Sequence, residues 1–381
     1  AAPYRDAFSP EPRDLPHDLR MPRSLPVLPG IFVVMALSNA VVPVLPGFAE
    51  GAAMQGAVYA AYFLGAFIMV LPAGMASDHL GRVPLIHAGL FLTVASGALI
   101  LLFPSGLPLL LFRAVEGIGA GLFLSAALAW ANSHPSAGRV SGYVMAAQNL
   151  GLVAGLLAAG WLDAVFDSHL AGIAFFTALA IPALVMSAAI RESNRAGFVE
   201  ADLSLIARNY FWLFTAAAVL VGMTGMVAAL YPGYTGGDPS LLALQLATVN
   251  IATVIAVLVV PRLDLRPAPT IRASSLLMAG AVAASYATPY ALPVVGALAG
   301  VIIVAVLAFL AETGIRQGVM IGLFNTATYA GFTVLPALAG AIAGEFGFLA
   351  GFLLPAGLAA AMAATIGRCP AQQSAYNRPH P

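Results

Sequence analysis

Apolar stretches of about twenty residues, the length a helix needs to cross a bilayer, follow one another along this chain with only short polar turns between them. Twelve fall at 25–45, 53–73, 84–103, 107–131, 140–162, 169–190, 209–231, 240–260, 270–288, 291–311, 317–341 and 347–367. Glycine and proline are frequent inside these stretches, which suits membrane helices better than soluble ones. The pattern predicts an all-α membrane protein of twelve transmembrane helices. The longest interior connection, 191–208, divides it into a first six-helix half at 25–190 and a second at 209–367, with polar tails at 1–24 and 368–381.

Composition removes the competing reading, in which the stretches are core helices of a large soluble protein. Hydrophobic residues make up 61% of the 381 positions and charged residues 8%. A soluble domain covers itself with charge at about a quarter of its residues. The tail "AAPYRDAFSPEPRDLPHDLR" lacks the apolar centre and small-residue cleavage site of a signal peptide, so a disordered cytoplasmic segment is expected there.

All sixteen basic residues are arginine. Without lysine there is no Walker-type phosphate loop and no lysine Schiff base. With Cys369 the single cysteine, no intrachain disulfide forms. The six histidines lack metal-ligand spacing, and there is neither a glycine-rich dinucleotide motif nor a basic stripe for nucleic acid. These absences point away from an enzyme and from any cofactor, metal or nucleic-acid partner. The arginines also orient the chain. Laid on the twelve stretches, fifteen fall on one side, in the tails, in alternate turns and, for Arg272, at the edge of the ninth stretch, and Arg113 alone lies deep inside one. The positive-inside rule makes that side cytoplasmic, with both termini inside and the protein in the cell membrane.

An internal repeat is visible at an offset of 180 residues: Gly142, Gly151 and Gly160 in the fifth stretch map onto Gly322, Gly331 and Gly340 in the eleventh. Two six-helix halves of the same orientation are expected from such a shift, related by an axis along the membrane normal. The same glycines also read as helix contacts, where small residues let backbones approach.

The turn "GMASDHLGRVPL" concentrates Asp78, His79 and Arg82 between the second and third stretches. Together with the six-plus-six pattern it resembles the signature G-x-x-x-D-[RK]-x-G-[RK] of the major facilitator superfamily: Gly74, Asp78, Gly81 and Arg82 match, and His79 replaces a basic residue. The resemblance implies a conformational latch formed by these residues with Arg139 in "NSHPSAGRVSG". The aspartate common in the family near Asn132 is missing. A topogenic loop whose charges merely set orientation is the plainer alternative. In "RAVEGIGAG", Arg113 and Gly117 fit the family pattern R-x-x-Q-G, with Glu116 in place of glutamine. "GLVAGLLAAG" partly matches the family's antiporter signature through Gly151, Gly155 and Gly160; its proline appears only in the repeat, as Pro336. The likeness is greatest to the drug/proton antiporter branch.

Arg113 and Glu116, three apart, share a helical face and would pair. Each unpaired charge would cost about 2.5–3.5 kcal/mol at the bilayer centre, so the two read either as a proton relay or as a structural ion pair. By the resemblance, a small-molecule substrate binds near the midplane between the halves. Candidates for the substrate and proton pathway are Arg113, Glu116, Asn39, Tyr59, Tyr62, Gln148, Asn149, Met223, Asn250, Asn325 and Thr328. Gly142, Gly151, Gly155, Gly160, Gly322, Gly331, Pro336 and Gly340 are the expected packing positions. Proton-coupled efflux of a hydrophobic or amphipathic molecule by a monomer is the functional expectation. Proton-linked uptake or facilitated diffusion of a sugar or organic acid is one alternative, and a non-transporting receptor or accessory protein another.

Overall fold

The computed structural model describes residues 26–132, 137–190, 203–263, 265–312 and 317–366, and all its regular structure is helical. The first half holds α1 (Leu28–Ala40), the single turn α2 (Leu45–Phe48), α3 (Ala52–Leu80), α4 (Arg82–Leu102), α5 (Gly106–Asn132), α6 (Ala137–Phe166) and α7 (Ala171–Ser187). After α8 (Leu203–Asn209), the second half holds α9 (Phe211–Thr235), α10 (Pro239–Val259), α11 (Pro267–Ala287), α12 (Ala291–Glu312), α13 (Gln317–Phe346) and α14 (Phe348–Thr365). Nine of these are long and apolar enough to span a bilayer by themselves, α1 and α7 are shorter apolar helices, and the more polar α11, with Arg272, Ser274, Ser275 and Ser285, completes twelve.

Local chemistry sets the boundaries. The first apolar stretch does not run through to 45 as one helix. Pro43 has no amide hydrogen and disfavours helical backbone at Val42, so α1 stops at Ala40 and the chain turns through an Asn39 carbonyl accepting from Val42 N at 3.1 Å. Gly81 separates α3 from α4 with φ +89°, a left-handed value that favours glycine. Prolines 72, 182, 232, 336 and 355 lie within helices, where neighbouring helices supply the packing that tolerates them.

The two halves are built alike. α6 and α13 are both thirty residues long and superimpose at the 180-residue offset end for end. Every principal packing within the first half has its counterpart in the second: α3 on α5 matches α10 on α12, α4 on α5 matches α11 on α12, and α1 on α6 matches α9 on α13. Likewise α4, α1 and α6 pack on α7 as α11, α9 and α13 pack on α14. Between the halves, α3 lies along α13 and α6 along α10, an exchanged pair under the same twofold relation.

The repeat glycines carry this symmetry into atomic contacts. A Cβ on Gly151 would strike Phe32 and Met35 of α1; one on Gly331 would strike Ala218 of α9. A Cβ on Gly160 would meet Ala243 and Ser240 of α10, and one on Gly340 would meet Ala52 and Gly56 of α3. Gly142 and Gly322 both have open space beside them. The inter-half crossings at Gly160 and Gly340 lie at the end remote from the arginine-bearing turns; Ser240 Oγ seals one of them by donating to the Gly160 carbonyl at 2.9 Å.

Candidate functional site

A cavity of about 200 Å³ lies between the halves, lined from α1, α3 and α6 on one side and α9, α10 and α13 on the other. Its wall is aromatic where α3 faces α13. Phe63 stands at the centre, with ring centroids 5.1 Å from Tyr59, 5.0 Å from Tyr62, 6.0 Å from Tyr329 and 4.7 Å from Phe332. Where α6 meets α10 the wall carries carboxamides: Gln148, Asn250 and, from α1, Asn39. Asn39 Nδ2 donates to the Leu152 carbonyl at 3.1 Å, which fixes the amide and leaves its oxygen uncommitted.

One side chain behind this wall is an ion pair. Arg113 Nη1 donates to Glu116 Oε2 at 2.6 Å, with both side chains 2% exposed. Arg113 Nη2 donates to the Ser38 carbonyl at 3.2 Å, and the guanidinium carbon lies 4.8 Å from the centre of the Tyr62 ring. Ser38 and Tyr62 both line the cavity. The charged pair therefore touches the cavity only through one backbone carbonyl and one aromatic ring. Among the described residues, Arg113 Nε and Glu116 Oε1 have no hydrogen-bond partner. The carboxylate thus sits one residue behind the cavity wall, held on one oxygen by Arg113. Gly117 makes the arrangement possible: a Cβ there would collide with the Tyr62 backbone, so glycine lets α5 press against α3.

Five of the expected pathway residues thus meet around one space: Asn39, Tyr59, Tyr62, Gln148 and Asn250. Arg113 and Glu116 stand just behind it. The other four lie elsewhere. Met223 is fully buried in the second-half core, and its neighbour Thr224 faces the cavity instead; one residue of helix turns a side chain by about 100°, so adjacent positions face different surroundings. Asn149 turns back to donate to the Met145 carbonyl at 2.8 Å, and Thr328 donates to the Asn325 carbonyl at 2.8 Å, while Tyr329 and Phe332 of the same helix line the space. Phe63, Tyr329 and Phe332 were not anticipated. Their signal was available as aromatic pairs at helical spacing, Tyr59 with Phe63 and Tyr329 with Phe332.

Of the expected latch, Gly74 has open space beside it and Gly81 makes the turn described above. Arg82 opens α4 and is buried at 4% exposure. The side chains of Asp78 and Arg139 lie outside the described residues, as do positions 1–24, 191–202 and 368–381 of the expected tails and linker.

Twelve apolar helices in two like halves around a central cavity are an architecture suited to a multi-pass membrane transporter of small molecules. The sequence pattern of the Major Facilitator Superfamily matches residues 27–315, and the chain belongs to that family. Among solved structures, the POT family transporter PepTSo is similar with a TM-score of 0.75 at 10% identity, over 95% of this chain and 100% of that one. The D-xylose-proton symporter gives 0.69 at 15% identity over 92% and 97%. The human organic anion transporter MFSD10 gives 0.65 at 16% identity over 91% and 99%. At such identities the likeness is one of fold. No curated protein matches the chain in sequence.

Proposed function

We propose that this protein is a proton-coupled exporter of an uncharged or amphipathic small molecule, working by alternating access with its arginine-bearing end in the cytoplasm. The observation that carries the reading is the buried Arg113–Glu116 pair set one side chain behind the cavity, with a carboxylate oxygen left unpartnered. Proton arrival at Glu116 neutralises the carboxylate and leaves Arg113 as a lone cation held by the Ser38 carbonyl and the Tyr62 ring. Both contacts belong to the wall that a substrate would touch, so protonation and occupancy act on the same residues. One proton moving down about 100 mV supplies about 2.3 kcal/mol, enough for a concentration ratio of roughly fifty-fold.

Support for the direction of access comes from the ends of the molecule. At the end remote from the arginines the halves meet backbone to backbone, at Gly56 with Gly340 and at Gly160 with Ser240. Toward the arginine-bearing end Gly74, Gly142 and Gly322 have no neighbour within 4 Å of a Cβ position. The tight contacts at the remote end support a reading in which the halves close on the outside and part toward the arginine-bearing end.

The test is dye accumulation in everted membrane vesicles energised by an interior-acid pH gradient, with a panel of small neutral bicyclic fluorophores, 2-quinolinone and coumarin among them, as probes. Wild-type vesicles should concentrate at least one of these dyes and lose it on collapse of the gradient, and Glu116→Gln should abolish the gradient-driven part. Accumulation that persists unchanged in Glu116→Gln would remove the proton role from this residue.

A further inference from the structure

We infer that the cavity selects small planar aromatic molecules that are uncharged and carry a lactam-type edge, an N–H beside a C=O. The inference rests on the reading of this cavity as the substrate site and specifies what the site takes.

Three features of the wall carry it. The first is the aromatic face. Four rings surround Phe63 across the α3–α13 contact, tilted at 34° to 46° for Tyr59, Tyr329 and Phe332 and at 87° for Tyr62. Aromatic pairs favour offset or edge-to-face contacts at centroid separations of about 4.5–7 Å, and a flat ring system entering the cavity extends that cluster. An aliphatic ring offers no such face.

The second feature is the opposite wall. Gln148 on α6 and Asn250 on α10 both line the space, and among the described residues neither has a hydrogen-bond partner. A carboxamide presents a donor and an acceptor side by side. The complementary group is another amide edge, which meets it with two antiparallel hydrogen bonds. Because the two carboxamides come from different halves, a ligand edge engaging both joins the halves across the cavity. The free oxygen of Asn39 adds one more acceptor, which favours an N–H on the ligand.

The third feature is charge. Among the described residues no ionised side chain lines the cavity. The one cation nearby, Arg113, is paired with Glu116 and already occupies a face of Tyr62 at 4.8 Å. A cationic ligand would find that ring taken by a like charge, and an anionic one would find Arg113 already neutralised as long as Glu116 is ionised. Size sets the last limit. Pockets for drug-sized ligands run to about 300–1,000 Å³, so about 200 Å³ suits one or two fused rings.

The experiment measures binding to the purified full chain in detergent, without any gradient, using four probes. 2-Quinolinone has the flat bicycle and the lactam edge; N-methyl-2-quinolinone keeps the shape and loses the N–H. N-methylquinolinium is flat and cationic, and piperidin-2-one has the lactam without the aromatic plane. 2-Quinolinone should bind at least tenfold more tightly than each of the other three, since a site built to hydrogen-bond a ligand N–H rejects the analogue that lacks it. Gln148→Met and Asn250→Leu should each erase most of the discrimination against the N-methyl compound, and Phe63→Leu the discrimination against piperidin-2-one. Equal binding of the N-methyl compound, tighter binding of the cation, or no binding of any probe to folded protein overturns the inference. Because no proton gradient enters this measurement, its failure leaves the proton-coupled export test standing, and failure of that test leaves this one standing.

Discussion

Arg113 and Glu116 are more costly apart than together. Each is nearly inaccessible to solvent, and their mutual contact at 2.6 Å is the main compensation for their burial. Removing one partner of a buried pair typically costs about 3–5 kcal/mol, whereas replacing both by apolar residues is often close to neutral. Arg113→Met alone should therefore lower the thermal unfolding midpoint in detergent sharply, and Arg113→Met with Glu116→Met should recover most of it. A double variant as unstable as the single would show that the pair's other contacts, at Ser38 and Tyr62, carry the stability. Tyr62→Phe keeps the ring under the guanidinium and should cost only the hydroxyl's contact with Ser38, about 0.5–1.5 kcal/mol. Tyr62→Leu gives up a cation–π contact worth about 0.5–2 kcal/mol.

At the scale of helices, glycine position decides which substitutions the packing accepts. On α13, a Cβ at Gly331 would fall 2.7 Å from the Ala218 carbonyl carbon, while at Gly322 it would meet nothing. Gly331→Leu should destabilise by about 1–3 kcal/mol through overpacking; Gly322→Ala should be neutral or stabilise by up to about 1 kcal/mol, the helix-propensity gain. Gly151→Leu and Gly142→Ala should repeat the contrast on α6, because the twofold relation makes them the same two environments. Equal unfolding midpoints for the paired variants would contradict the packing. This regularity was legible in the sequence because glycines at a fixed offset in two long apolar stretches mark both the repeat and its contact face. Which neighbour faces the cavity was not. Met223 and Thr224 are both compatible with a membrane helix, and the rotation that hides one and presents the other is set by α13 and α12, not by local composition. The break after Ala40 was likewise masked by an apolar run that hydropathy alone extends through Pro43.

For the whole molecule, the asymmetry of arginines predicts which face each turn occupies. In a Cys369→Ser background, Arg262→Cys between α10 and α11 should react only with a membrane-permeant thiol reagent in intact cells. Tyr290→Cys, between α11 and α12 where the tyrosine is 84% exposed, should react with an impermeant one. The reverse result would invert the orientation proposed above. The number of helices and their division into like halves were plain from the spacing of apolar stretches. The meeting of α3 with α13 and α6 with α10, which builds the cavity, depends on contacts about eighty residues or more apart that no local pattern announces.

The vacancies beside Gly142 and Gly322 carry a consequence for trapping the protein. These twin positions sit near the arginine-bearing ends of the two helices that cross between halves at their opposite ends. A carrier that rocks about its centre must crowd there what it releases on the other side. A tryptophan at both sites would then act as a doorstop, harmless in the conformation described here and obstructive to its mirror. Such a variant should purify as a single, rigid species that still binds ligand yet completes no cycle, which is what a study of the occupied form would need.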